Sequence, residues 1–195
     1  GAPNMNQISS SNIRKMVFTS LFTALIIVGG YISFPLPFSP IPIVLADFFV
    51  MLAGLLLGAS SGGAGVGLFL FLGALGIPVF AGGKGGLAVL FGPTGGFLFG
   101  YLVCATVIGI ISRKGKPSVI KDLVALAVGN LALYSIGVSW LKLISKLTWG
   151  KALALGLFPF VIGIIIKIIV ILLLNKALRA FLRQALDNSS PRVVD

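Results

Sequence analysis

Histidine and glutamate are absent from this chain of 195 residues, and cysteine occurs once, as Cys104. The first two absences remove the usual metal ligands, most general bases and any paired-glutamate chemistry. A lone cysteine excludes an intramolecular disulfide and a cysteine metal cluster. Charge is scarce too. Charged residues make up 10% of the chain, against about 25% in soluble proteins.

What fills the sequence instead is apolar. Hydrophobic residues reach 57% and the mean hydropathy is +1.12. That balance fits an integral membrane protein. The net charge is +11, but the basic residues gather in short connectors and near the ends. Such placement describes flanks that meet anionic lipid headgroups, not a nucleic-acid face.

The apolar runs divide the chain into a polar tail over 1–15, one membrane domain over 16–176 and a basic tail over 177–195. The expected fold is all-α, with six transmembrane helices and a glycine-rich outer loop between the third and fourth that caps a ligand cavity. Helix 1 is placed over 16–34, a spanning helix rather than a cleaved leader, with 4–13 frayed. Four prolines (Pro35, Pro37, Pro40, Pro42) then forbid helix and favour extended chain. Helix 2 is expected over 43–57, a tight turn over 58–65, helix 3 over 65–76, helix 4 over 94–111, a basic connector over 112–122 and helix 5 over 123–141. A short interfacial amphipathic helix follows over 141–151, and helix 6 starts near Pro159 and runs to 174. Six crossings put both ends on one side. Ten Lys and Arg then fall on that side and four on the other, which places the ends in the cytoplasm of a multi-pass plasma-membrane protein. No internal repeat marks an inverted-repeat carrier.

The stretch Gly76–Gly96, GIPVFAGGKGGLAVLFGPTGG, is too broken for a helix and too apolar for a soluble loop. Irregular backbone of this kind survives at membrane depth where it lines a cavity. It is expected to form lid and wall of a site, with Phe80, Gly82, Gly83, Lys84 and Phe91 as contributors. Its glycine clusters are not a P-loop, since no GK[ST] occurs. Lys167 lies in IGIIIKIIVILLL, an otherwise uncharged run, and intramembrane ionisable groups usually serve function. It reads as a cationic anchor for a ligand, as an ion-pair partner of Asp47, or as both. Asn130 and Tyr134 are four apart and share a helix face, either for ligand contact or for helix–helix bonding. Ser20 and Ala24, like Thr19 and Thr23, are small-xxx-small pairs that admit a close neighbour. Trp140 and Trp149 suit an interfacial aromatic belt.

The segments PIPIVL (Pro40–Leu45), LAGLLLG (Leu52–Gly58), Leu72–Gly96, YSIGVSWL (Tyr134–Leu141) and PFVIGIIIK (Pro159–Lys167) resemble the BioY family, the S components of energy-coupling factor (ECF) vitamin transporters. The resemblance covers nearly the whole chain. It implies a six-helix protein that captures biotin from outside and is no enzyme. It implies docking, with Ser20 and Ala24 in the contact, on a transmembrane coupling subunit joined to two ATPases that use the ATP. No cofactor is implied in this chain. A toppling motion would carry the site inward. Three positions depart from the family pattern: Ile164 stands where an aspartate is usual, Ala46 followed by Asp47 replaces a glutamine, and the asparagine common near Gly82 is missing. Lys167 is kept. A carboxylate with an apolar sulfur ring, lipoate, also suits that residue set. Other classes are a self-sufficient carrier or channel and, with less support, a Ser–Lys membrane enzyme.

Overall fold

A computed structural model describes residues 5–113 and 117–187, with side chains over 12–113 and 117–179. Seven helices and one hairpin make up that part: α1 Met5–Tyr31, β1 Ser33–Leu36, β2 Ser39–Val44, α2 Ala46–Ala74, α3 Leu87–Leu90, α4 Gly95–Arg113, α5 Val119–Ile144, α6 Trp149–Gly156 and α7 Val161–Asp187. Five helical stretches are long and apolar enough to cross a membrane among the described residues.

The expected break between helices 2 and 3 is not a loop. Helix continues on both sides of a single residue, Gly58, whose φ of 82° and ψ of −179° interrupt it. A left-handed φ favours glycine, and one residue suffices to turn the chain. Residues nine apart in a straight helix lie about 13.5 Å apart along the axis. Here a Cβ on Gly62 would stand 2.7 Å from the Ala53 carbonyl oxygen, so α2 folds back on itself. Arg113 closes the bend by donating to the Leu56 carbonyl at 2.9 Å.

Glycines also set the helix spacing. A Cβ on Gly54 would lie 2.5 Å from Ala105 O, and one on Gly109 would lie 2.1 Å from Ala59 N. Both halves of α2 therefore pack backbone-close on α4. The core, including Met51, Leu55, Val66, Phe69, Cys104, Ile108 and Leu126, fills the seams of α2, α4 and α5. By contrast α7 carries a row of exposed apolar residues, Ile162, Ile165, Ile166, Ile169 and Leu173, the face a helix presents to lipid.

The proline segment is extended as expected, and it pairs with the chain before it. β1 and β2 form an antiparallel ladder with Ser33 opposite Val44, Phe34 opposite Ile43 and Leu36 opposite Ser39. The prolines, which have no N–H to donate, fall between these pairs.

Other boundaries move. α1 takes in residues 5–13, which a polar composition had marked as frayed, and ends at Tyr31 rather than residue 34. α2 begins at Ala46. The amphipathic helix expected over 141–151 is replaced by a longer α5, a turn in which Lys146 takes a φ of 52°, and α6. The reason is Thr148, whose hydroxyl accepts from Lys151 N at 3.4 Å and starts α6, the usual work of an N-cap. The glycine-rich loop is not wholly irregular either. It holds a 3-10 turn at Ala81–Gly83 and the helical turn α3. Of the basic tail, residues up to 187 continue α7, and the remainder lies outside the described residues.

Candidate functional site

Two ends can be told apart. At one, the Gly58 bend meets Arg113, and Asp122 of α5 accepts from Asn175 Nδ2 at 2.7 Å and from Arg179 at 2.9 Å. At the other, the hairpin, the 75–94 loop and α6 converge. Leu45 N donates to Gly29 O at 3.1 Å, Tyr31 donates its hydroxyl to Pro78 O, Ser39 donates to Leu155 O at 2.7 Å, and Trp140 Nε1 donates to Gly92 O at 2.9 Å. Trp140 thus ties the loop to α5, beyond any role in an aromatic belt.

Inside that second end sits the pair of opposite charges. Asp47 is the second residue of α2, where the unpaired N–H groups of a helix start favour a carboxylate. Phe48 N donates to its Oδ1 at 3.0 Å. Lys167 reaches across from α7, with Nζ 2.7 and 2.8 Å from the two Asp47 oxygens and 2.8 Å from Val44 O. An ammonium has three hydrogens, so every donor of Lys167 is engaged. Both side chains are largely buried, at 16% and 9% exposure.

A cavity of about 30 Å³ adjoins this pair, with Tyr101, Phe97, Tyr134 and Phe160 in its walls. Above it a cavity of about 80 Å³ shares Ile41, Pro42, Val44 and Tyr101 and is roofed by Phe80, Ala81, Lys84 and Val89. The two together trace a narrow shaft from the 75–94 loop to Lys167. Phe80 is 1% exposed and lies edge-on to Phe69 with ring centres 5.3 Å apart. That contact pins the roof to the core.

A larger cleft of about 490 Å³ opens between α5, α6 and α7. Asn130, Tyr134, Ser135, Ser139, Trp149 and Ile164 are among its lining residues.

The structure therefore brings Asp47, Lys167 and Tyr134 together, with Phe80 and Lys84 above them. Asn130 and Ile164 line the cleft, not the shaft, and Tyr134 borders both. Gly82 and Gly83 form the 3-10 turn with φ of 68° and 74° and line neither space. Phe91 is 62% exposed and also lines neither. Ser20 and Ala24 face outward on α1. Thr23 instead faces inward, its hydroxyl 2.8 Å from Gly65 O in α2. Sequence reasoning missed Tyr101, Phe160 and the Val44 carbonyl: Phe160 and Val44 offer no polar side chain, and the Tyr101 hydroxyl, unlike that of Tyr134, has no amide or charged residue one helical turn away. It also missed Asp122, Asn175 and Arg179. Asp122 is 2% exposed in α5, not part of a soluble connector. Among the described residues no three His, Cys, Asp or Glu come together as a metal site.

A bundle of membrane-length helices, closed at one end by a hairpin and loop over a buried ion pair, is the architecture of a small-molecule membrane transporter component. Comparison with known proteins makes this specific. The BioY family model matches residues 4–184, and the chain belongs to that family. It is similar to a biotin transporter BioY of Thermotoga maritima, 41% identical over 86% of this chain and 96% of that one. A biotin transporter BioY of Rhizobium etli is 37% identical over 84% and 92%. Among solved structures, the S component for biotin of an ECF-type ABC transporter superposes with a TM-score of 0.81. It is 31% identical, over 94% of this chain and 96% of that one. The family is one of transporter S components, not of enzymes.

Proposed function

We propose that this chain is the substrate-capturing S component of an ECF-type uptake transporter and that biotin is its substrate. The observation that carries the reading is the Asp47–Lys167 pair, buried under the outer loop of a BioY-family bundle. The biotin named in its relatives supports the substrate.

In this reading α2 crosses the membrane twice by virtue of its bend, giving six crossings with both ends in the cytoplasm of a bacterial plasma membrane. The hairpin and loop then face outward. The shaft is well below the roughly 300–1,000 Å³ of small-molecule sites, so the 75–94 loop moves when ligand enters. The left-handed Gly82 and Gly83 supply its pivot, and Lys84 guides the anion. Lys167 exchanges part of its contact with Asp47 for the ligand carboxylate. The outward Ser20–Ala24 face of α1 docks the transmembrane coupling subunit. ATP is used by two ATPases of that module, and this chain holds no cofactor.

Titration of the purified chain in nanodiscs with biotin tests the reading. Saturable binding is expected, and no response to biotin sinks it. Lipoate is the competing carboxylate, and tighter binding of lipoate transfers the assignment to it. A self-sufficient carrier predicts uptake into liposomes by this chain alone, whereas the S-component reading predicts none.

A further inference from the structure

Three lysines at the α5–α6 turn, Lys142, Lys146 and Lys151, have no acid to meet. The chain has four acidic side chains. Asp47 is held by Lys167 and Asp122 by Arg179. The other two, Asp187 and Asp195, come at or after the last residue of α7 in sequence. Lys142 follows Asp122 by twenty positions of continuous α5. That is about 30 Å of helix, the depth of a hydrocarbon core. With Asp122 at one face of the membrane, the lysines stand at the other.

Those lysines crown the cleft between α5, α6 and α7. Ala127, Leu131 and Val138 line it from one face of α5, and Trp149, Leu153 and Leu157 from one face of α6, each set at helical spacing. From Ala127 to Ser139 the α5 wall runs about 18 Å, close to the ~15 Å of one half of a hydrocarbon core. The rim is open, with Leu131 69% and Trp149 57% exposed. At the mouth, Lys142 Nζ lies 5.0 Å from the centre of the Trp149 ring. That is a cation–π distance, so a lining residue of the cleft holds one of the ammonium groups in place.

We propose that this cleft holds one anionic phospholipid of the leaflet on the hairpin side, an acyl chain lying along α5 and the phosphate meeting Lys142, Lys146 and Lys151. The length, apolar walls and open rim suit the chain, and the lysines select the charge of the headgroup. Ser139, one turn below Lys142 in the lining, donates its hydroxyl to an ester carbonyl. A second copy of this chain is the poorer occupant. A two-fold contact sets the same patch against itself, which brings these lysines together while Asp47 is already taken by Lys167. The inference is independent of the biotin reading and needs only that the helices span a bilayer.

The test is quenching of Trp149 fluorescence by bromine-labelled lipid. The chain has two tryptophans, so Trp140→Phe leaves Trp149 as the sole emitter. The full chain with that substitution is reconstituted in vesicles of phosphatidylcholine and phosphatidylglycerol, with bromine on the acyl chains of one lipid or the other. Phosphatidylglycerol is expected to occupy the site about 100-fold more tightly than phosphatidylcholine, about fivefold for each lysine beside the headgroup. Lys142→Gln, Lys146→Gln and Lys151→Gln together should bring the two lipids near parity. Ser135→Phe, which fills the cleft midway, should abolish the selective quenching with all three lysines intact. Equal quenching by the two lipids before any lysine is changed overturns the proposal. So does a preference that survives the triple lysine variant, or one that survives Ser135→Phe, since headgroups then only gather at the surface. Quenching by neither lipid also overturns it, the result expected if a second copy covers the cleft. Should the triple variant not fold, Ser135→Phe decides alone.

Discussion

Lys167 has no hydrogen left to offer. Two of its donors meet Asp47 and the third meets Val44 O, so an anionic ligand must compete with Asp47 for it. This changes what mutation of the lysine does. Removing Lys167 alone strands a buried carboxylate, which costs about 3–5 kcal/mol. Lys167→Met should therefore lower the thermal unfolding midpoint markedly in detergent, and Lys167→Met with Asp47→Leu should recover most of the loss while still failing to bind ligand. A single variant as stable as wild type would show that the pair is not formed. The Asp47–Lys167 pair was legible in the sequence, because two opposite charges stood in otherwise uncharged runs. The Asp122–Asn175–Arg179 cluster was not. Asp122 closes the stretch expected as a basic connector and so reads as surface, and its partners lie more than 50 positions away. Similarly, nothing in the spacing of Asn130 and Tyr134 distinguishes two cavities bordered by one tyrosine.

At the scale of elements, the glycines divide into those that hold helices together and those that merely sit in them. Gly109 and Gly67 both occupy helix interiors. A Cβ at Gly109 meets Ala59 N at 2.1 Å, whereas one at Gly67 meets nothing within 4 Å. Gly109→Ala should destabilise by at least about 1–3 kcal/mol through overpacking, and Gly67→Ala should be neutral or stabilise by up to about 1 kcal/mol. Denaturation of the two variants in the same detergent checks the contrast, and equal effects would refute the α2–α4 packing. The two tryptophans separate loop from cleft. Trp149 lines the cleft and Trp140 holds the loop through Gly92. Trp140→Phe should abolish the larger part of a biotin-induced fluorescence change that Trp149→Phe retains, because the ligand enters under the loop that Trp140 holds. The reverse pattern would place the ligand in the cleft instead. Element types were readable from hydrophobic runs and proline density. Their joints were not, because the Gly58 fold-back and the pairing of β1 with β2 depend on contacts across the bundle.

Across the whole molecule, the proposed orientation, both ends cytoplasmic and the hairpin and loop outward, rests on the ten-to-four bias of basic residues. Cys104 is buried, so it leaves a quiet background for labelling. In intact cells an impermeant maleimide should label Lys84→Cys, and should reach Lys176→Cys only after lysis. Labelling of both in intact cells, or of Lys176→Cys alone, contradicts the orientation. Composition sufficed for the membrane class, and the segment matches for the family. Composition says nothing of how Lys167 is occupied, or of the cleft flanking α5, both of which arise where distant segments meet.

The most direct test of the account is the affinity of the purified wild-type chain for biotin, measured by calorimetric titration in nanodiscs beside lipoate. The account predicts saturable biotin binding, tighter than that of lipoate. No heat from biotin, or equal affinity for the two, would contradict it.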